Sequence, residues 1–136
     1  MTGRSCSALA LIIDHDLGFV MWLGELFAEL GCQAVPALNC RQALALAKRL
    51  NLSITILAVN LELRGARRMV QLLVAANPGV RIVLIRDSAD PWNAIRPNAS
   101  GIQARFTLER PSPGETISRP EWVAKIRKIL SLAAGK

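Results

Sequence analysis

Three short runs of the sequence are almost entirely apolar. They read ALALII at 8–13, ITILAV at 54–59 and RIVLI at 81–85, and none alternates as a strand with one face in water would. Continuous runs of this kind are typical of strands that are covered on both faces, as in a parallel sheet between two layers of helices. This feature restricts the chain to α/β architectures.

Two further segments are weaker strand candidates, QAVPAL at 33–38 and ARFTL at 104–108. Pro36 has no N–H to donate to a neighbouring strand, so the first segment is expected at an edge of the sheet. The second segment alternates more between apolar and polar residues, which fits the opposite edge. The sequence therefore predicts five strands.

Helical patterns fill the intervals between these strands. They predict helices over 17–30, 40–50 and 66–76, a short irregular helix that begins near 91, and a last helix over 118–133. Gly31 suits the position after a helix, and Asn39 suits the position before one. Because β–α–β connections are right-handed, this order predicts a three-layer α/β/α sandwich around a five-stranded parallel sheet. We expect one domain over residues 1–136, with its core at 8–133.

The composition supports a folded domain. A chain of 136 residues, 51% hydrophobic and 20% charged, is long enough for a core and too apolar for disorder. No apolar run approaches the roughly 18 residues of a membrane span, and the N-terminus lacks the pattern of a signal peptide. A cytoplasmic location without membrane contact is expected. Cys6, Cys32 and Cys40 have no metal-ligand spacing and are predicted to be reduced thiols.

The net charge of +7 is unevenly distributed. Residues 1–80 carry seven Lys and Arg against five Asp and Glu, for +2, and residues 81–136 carry ten against five, for +5. A basic half can bind nucleic acid or an acidic partner, and it also serves solubility. Nucleic-acid binding is only an alternative, because no known DNA-binding or RNA-stacking motif is present. The favoured interpretation of Arg64, Arg67 and Arg68 is a solvent-exposed surface. The second interpretation is a docking site for an acidic partner.

Ligands of open parallel sheets bind at the carboxyl ends of the strands. Four predicted strands bring notable residues to that edge. The tips read Asp14-His15-Asp16 after the first strand, Ala58-Val59-Asn60 at the third, Arg86-Asp87-Ser88 at the fourth and Glu109-Arg110-Pro111 at the fifth. A functional site is therefore expected where these tips meet.

Four stretches of the sequence, LIIDHDLGF, SITILAVNLEL, NPGVRIVLIRDSADP and LERP, resemble the receiver domain of bacterial response regulators. The resemblance extends from about residue 8 to residue 133. It implies a flavodoxin-like fold with strand order 2-1-3-4-5 and a role in two-component or phosphorelay signalling. In that family an aspartate at the third strand accepts a phosphoryl group from a histidine kinase. Two acidic residues after the first strand hold Mg²⁺, a Ser or Thr follows the fourth strand, and a Lys-Pro pair follows the fifth.

The family's site is largely replaced in this sequence. The resemblance places Ala58 at the phosphoacceptor position, Asp14 and His15 at the acidic pair with Asp16 beside them, Arg86 at the Ser/Thr position and Arg110 at the Lys position. A methyl group is neither a nucleophile nor a metal ligand, and Mg²⁺ requires several oxygen ligands. The two guanidinium groups would repel a divalent cation and pair with Asp14 or Asp16 instead. These substitutions predict no phosphoryl transfer, no bound metal or other cofactor, and no enzymatic activity.

We therefore expect a pseudo-receiver that acts through contacts with a histidine kinase, a phosphotransfer protein or an output protein. Because the sequence ends at Lys136, a stand-alone domain is expected. One alternative is a phosphorylatable receiver of a phosphorelay with a non-standard site. Asn60 and Glu62 are the only polar residues near the third tip, and both are poor phosphoryl acceptors.

A second alternative concerns the first tip. Asp14, His15 and Asp16 have the residue types of a transition-metal site. Three consecutive residues rarely converge on one ion, however. A loop with Asp16 near the start of the next helix is therefore the favoured interpretation.

Several residues are candidates for a partner surface. Met21 and Trp22 lie on the predicted helix 17–30, which is a docking surface for kinases and phosphotransfer proteins in receivers. Trp92 lies where the family's fourth helix begins, and Lys125 and Lys128 face outward on the last helix. The resemblance allows a homodimer through the face formed by the family's fourth helix, fifth strand and fifth helix. The alternative for each apolar residue is ordinary packing against the core.

Overall fold

The computed structural model describes residues 8–51, 53–87, 106–111 and 118–135. Within them, the strands are β1 (Leu9–Ile13), β2 (Gln33–Ala37), β3 (Ile56–Val59), β4 (Arg81–Asp87) and β5 (Phe106–Arg110). The helices of the same ranges are α1 (Leu17–Glu29), α2 (Cys40–Arg49), α3 (Ala66–Ala76) and α4 (Arg119–Gly135). The helix predicted near residue 91 lies outside the described residues, as does Trp92. No described helix combines the length and apolar character that crossing a bilayer requires.

The five strands form one parallel sheet in the order β2-β1-β3-β4-β5. This arrangement confirms the predicted strand order and both predicted edge strands. Pro36 lies in β2, opposite Ile12 of β1, and at an edge its missing N–H interrupts no second ladder. Ile12 is also paired with Ala58 of β3, and Ala58 with Val83 of β4.

The strand side chains form two apolar layers, one on each face of the sheet. Ala10, Ile12 and Ala58 pack in the layer that contains α1 and α4, and Leu11 and Val59 pack in the layer that contains α2 and α3. Because both faces are covered by helices, the central strands need apolar residues at every position. This explains the continuous apolar runs and confirms the α/β/α sandwich.

Capping side chains mark the starts of α1 and α2, and a glycine follows the end of α1, as the sequence predicts. Asp16 precedes α1, and its Oδ1 accepts a hydrogen bond of 3.1 Å from the Phe19 N–H. Asn39 precedes α2, and its Oδ1 accepts one of 2.8 Å from the Gln42 N–H. Gly31 follows α1 with a φ of 89°, a conformation in which a side chain is strained. These local signals fix the points at which α1 and α2 begin and the chain returns to the sheet.

Helix α4 packs beside α1 through an aromatic cluster. Trp122 is buried with Ile126 and Ile129, and its ring meets those of Phe19 and Trp22 edge-on, at centroid distances of 5.8 and 5.1 Å. Edge-to-face contacts are favoured by the ring quadrupoles. An ion pair between Arg119 and Glu29 also joins the two helices.

Candidate functional site at the carboxyl edge of the sheet

Asp14 is the centre of the polar contacts at the carboxyl edge. It follows β1 directly, and its side chain is fully buried. Its Oδ2 lies 2.6 Å from Nη1 of Arg110, whose own side chain is only 14% exposed. Its Oδ1 accepts a hydrogen bond of 2.6 Å from the His15 backbone N–H. A buried carboxylate is stable only if it is paired and hydrogen-bonded, and both of these oxygens have partners.

Asn60 lies beside Asp14 at the end of β3. It is 4% exposed, and its backbone N–H donates to the Ile13 carbonyl at 3.1 Å. Its Nδ2 donates to Oδ1 of Asp14 at 3.3 Å, and its Oδ1 accepts from the Glu62 backbone N–H at 2.9 Å. Each end of the amide is therefore engaged, one with the carboxylate and the other with the following turn. We refer to Asp14, Asn60 and Arg110 together as the Asp14 cluster.

The structure corrects the position expected for Ala58. Ala58 is fully buried within β3, between Ile12 and Val83, and it packs in the apolar core with α1 and α4. It therefore lies beneath the carboxyl edge and not at the strand tip. Side chains of a strand alternate between faces, so the next residue on the same face is Asn60. Since β3 ends at Val59, Asn60 is the side chain that reaches the site.

A signal for Asn60 is present in the sequence. The apolar runs of β1 and β3 end at Ile13 and Val59, and these two residues are partners in the sheet. The first polar residues after them, Asp14 and Asn60, are therefore at the same level. Aligning the two strands by the ends of their apolar runs would have identified Asn60 as the residue at the tip.

The remaining residues of the first tip have separate roles. The His15 side chain is 63% exposed, and its Nδ1 lies 3.0 Å from Oδ1 of Asp14. Asp16 caps α1, as the favoured interpretation of this loop predicted. In the part of the chain that the structure describes, no three His, Cys, Asp or Glu side chains are grouped as metal ligands.

The two arginines predicted to share the site have different partners. Arg110 pairs with Asp14, as expected. Arg86 forms an ion pair with Glu109, at 3.5 Å between Nη2 and Oε2. The sequence predicted that it would pair with Asp14 or Asp16. Arg86 and Glu109 are register partners in β4 and β5, so the adjacent carboxylate is available without any reach across the sheet. Arg86 is 16% exposed and Glu109 is 53% exposed, which leaves this pair partly in solvent.

The two described cysteines are not part of this cluster. Cys32 and Cys40 are buried free thiols, as predicted for reduced cysteines. Burial raises the pKa of the Cys40 thiol above its ordinary value of 9.0. A thiol held in its protonated form is a poor nucleophile, so Cys40 has the character of a core residue.

The candidate partner-surface residues differ in exposure. Met21 is 48% exposed on α1, whereas Trp22 is half-buried against Trp122. Lys125 is exposed, with its Nζ 5.3 Å from the centroid of the Trp122 ring. Lys128 is exposed on the same helix. Met21 and the two lysines are thus accessible to a partner, while Trp22 also covers the aromatic cluster.

Comparison with solved structures identifies the fold. No protein-family model matches the sequence, and no curated protein sequence matches it. The CheY-like receiver domain protein of Methanospirillum hungatei JF-1 matches with a TM-score of 0.68 at 16% identity, over 93% of this chain and 95% of that one. A two-component response regulator of Clostridium difficile matches with 0.69 at 18%, over 95% and 100%. The chemotaxis response regulator CheY4 of Vibrio cholerae matches with 0.66 at 16%, over 90% and 98%. The chain has the receiver fold of response regulators.

Proposed function

We propose that this protein is a receiver of two-component signalling that acts by binding other proteins and accepts no phosphoryl group at the end of β3. Its partners would be a histidine kinase, a phosphotransfer protein or an output protein. The observation that carries the proposal is the Asp14 cluster, in which an amide and an arginine surround the buried carboxylate of Asp14. The receiver fold supports the signalling role.

Asn60 cannot replace an acceptor aspartate. A carboxylate attacks phosphorus through an oxygen with free negative charge. An amide has no such charge, its nitrogen is a donor, and its oxygen is the acceptor. The Asn60 oxygen already accepts the Glu62 N–H, and its nitrogen donates to Asp14. The side chain at the tip of β3 is therefore a structural link and not a nucleophile.

The surroundings of Asp14 disfavour Mg²⁺. The ion needs near-octahedral oxygen ligands and is usually held by carboxylates. Here Oδ2 of Asp14 is bonded to Arg110, and the adjacent His15 offers nitrogen instead of oxygen. A divalent ion at Asp14 would have to displace the guanidinium or lie beside its positive charge. Arg110 thus supplies the positive charge that a metal would bring.

The ion pair also restrains the site. Arg110 is at the end of β5 and Asp14 follows β1, so their contact joins two strands that are not neighbours in the sheet. Breaking a buried pair leaves an uncompensated charge, which is costly. The ends of β1 and β5 are therefore held together without phosphorylation. A partner would recognise this fixed arrangement.

Phosphorylation by acetyl phosphate in the presence of Mg²⁺, followed by intact-protein mass spectrometry, tests the proposal. The unaltered protein is expected to gain no phosphoryl group. The variant His15→Asp/Asn60→Asp/Arg110→Lys restores the acidic pair, the acceptor and the lysine, and it is expected to become phosphorylated. His15→Asp/Arg110→Lys, which keeps Asn60, is the matched control and should remain inert. Phosphorylation of the unaltered protein within the Asp14 cluster would contradict the proposal.

A further inference from the structure

Charge is divided unevenly between the two helical layers, because the acidic residues of the described helices, Glu25, Glu29 and Glu121, all lie on α1 and α4. Helix α1 carries Glu25 and Glu29 and no Lys or Arg, whereas α2 and α3 carry no acidic residue. The cations of α2 and α3, which we call the basic face, are Arg41, Lys48, Arg49, Arg67 and Arg68, and all five are exposed. A group of cations with no acid on the same helices creates a positive potential toward solvent.

The basic face extends along α2 and over the first turn of α3. Helices α2 and α3 pack against each other in one layer. Both leave the carboxyl edge of a parallel sheet, so they run in the same direction. Arg41, Arg67 and Arg68 lie in the first turns, and Lys48 and Arg49 in the last turn of α2. A 10-residue helix is about 15 Å long, so cations stand at both ends of a surface that could hold an extended partner segment.

The placement of three of these cations is unfavourable for the helices themselves. The amino end of a helix has a partial positive charge and is stabilised by acidic residues. Arg41 lies in the first turn of α2, and Arg67 and Arg68 lie in the first turn of α3, where no acid is present. Helix stability alone would favour Asp or Glu at these positions. The arrangement suits the binding of an anionic group from outside.

Exposed apolar side chains lie on the same helices. Leu72 is 48% exposed on α3, one turn after Arg68, and Ala45 is exposed on α2, one turn after Arg41. Leu50, just beyond α2, is 54% exposed. A nucleic-acid backbone could neutralise the cations but would leave these side chains in water. A partner with both carboxylates and apolar side chains would match the cations and also cover the exposed apolar side chains.

A second copy of this chain is a poor occupant. The acidic helix α1 offers Glu25 and Glu29, and Glu29 is already paired with Arg119. The other helix of that layer, α4, carries Glu121 among four cations, so the α1–α4 layer of a second copy is not an acidic match for the basic face. The net charge of +7 also opposes association between copies. The complementary surface therefore belongs to a different protein.

We propose that the basic face is a docking surface for an acidic amphipathic helix of a partner protein. The apolar stripe of that helix would cover Leu72 and Ala45, and carboxylates on its flanks would pair with the arginines. This inference rests on the proposed function in that both require a protein partner. Its site is on α2 and α3, however, and its test involves no phosphorylation, so either can fail while the other stands.

A synthetic helical peptide with a leucine stripe flanked by glutamates is the probe, and a scrambled peptide of the same composition is its control. Binding is followed by fluorescence anisotropy. The unaltered protein should bind the amphipathic peptide, more weakly as salt increases, and should bind the scrambled peptide at least several-fold more weakly. Equal binding of the two peptides would overturn the proposal.

Charge reversals on α3 and on α4 provide matched variants. Arg67→Glu/Arg68→Glu is expected to weaken peptide binding by roughly tenfold or more. Because acids are favoured at the start of a helix, this variant should remain folded. Arg127→Glu makes one such change on α4, where the residue is exposed and outside the candidate partner surface, and it should leave binding unchanged, whereas its single counterpart Arg68→Glu should weaken binding several-fold. Leu72→Ser is expected to weaken binding several-fold.

Two outcomes would contradict this assignment. The first is an equal loss of peptide binding in the α4 variant, which would mean that net charge alone attracts the peptide. The second is a short DNA duplex that displaces the peptide and whose own binding is lost in Arg67→Glu/Arg68→Glu but retained in Leu72→Ser. That result would assign the basic face to nucleic acid.

Discussion

The apolar core of β3 and the polar cluster at its end are separated by a single residue. Ala58 and Asn60 lie on the same face of the strand, but Ala58 packs with α1 and α4, whereas Asn60 bonds to the buried Asp14. In a sheet that is covered on both faces, polar side chains can form a site only beyond the point where the paired strand ends. The same substitution made two residues apart should therefore have different consequences.

The largest expected effect is that of Ala58→Asp. The new carboxylate would be buried among the apolar side chains that surround Ala58, and the free energy of unfolding should fall by more than about 4 kcal/mol. Asn60→Asp is the matched control, because it introduces the same group at the end of the strand, next to Asp14, which is paired with Arg110. It should lose less, about 1–3 kcal/mol, through repulsion with Asp14. Chemical denaturation measures both, and an equal loss in the two variants would contradict the assignment of Ala58 to the core and Asn60 to the tip.

The next effect concerns the ion pair. Arg110→Met keeps much of the side-chain volume but leaves the Asp14 carboxylate buried without its counterion, and the free energy of unfolding should fall by about 3–5 kcal/mol. The double variant Asp14→Asn/Arg110→Met removes both charges and should recover part of this loss. Denaturation of the four members of the cycle gives the coupling between the two residues. A coupling near zero would show that the pair does not stabilise the carboxyl edge.

A smaller effect is expected outside the core, at the start of α1. Asp16→Ala removes the oxygen that accepts the Phe19 N–H, and it should lower the free energy of unfolding by about 1 kcal/mol. Asp16→Asn keeps an equivalent oxygen and should lose little of that stability. If both variants lose the same amount, the carboxylate has a role beyond the helix cap.

The smallest effect is a pH dependence of stability that comes from Cys40, in the apolar layer of α2 and α3. Burial raises the pKa of Cys40 above the ordinary value of 9.0 in the folded protein. The unfolded chain therefore releases this proton at lower pH than the folded chain does. Stability should fall as the pH rises above about 9, because the unfolded state then binds fewer protons. Cys40→Ser should show a shallower decrease over this range in denaturation experiments, and identical slopes would contradict the burial of an ionisable thiol there.

The fold could be predicted because its signals are local. The continuous apolar runs indicate strands covered on both faces, Pro36 indicates an edge, and Asp16 and Asn39 lie next to the helices that they cap. Each of these features acts through residues that are close in sequence. Their consequences do not depend on the details of distant contacts.

The site was predicted less completely because it depends on register. The run ITILAV does not by itself reveal which of its residues is level with Asp14, and the hydrogen bond from Asn60 to Ile13 decides this. Likewise, the pairing of Arg86 with Glu109 follows from the register of β4 with β5. The Arg110–Asp14 pair could be anticipated because Asp14 directly follows β1 and Arg110 ends β5, so both residues lie at the carboxyl edge of the sheet.

A titration with Mg²⁺ followed by NMR tests the Asp14 cluster most directly. The side-chain amide of Asn60 and the guanidinium of Arg110 report on the two contacts that Asp14 makes. If these groups replace the acceptor and the metal, their resonances should show no saturable shift in the unaltered protein. A saturable shift of both, with loss of the Arg110–Asp14 contact, would show that the site still binds the ion.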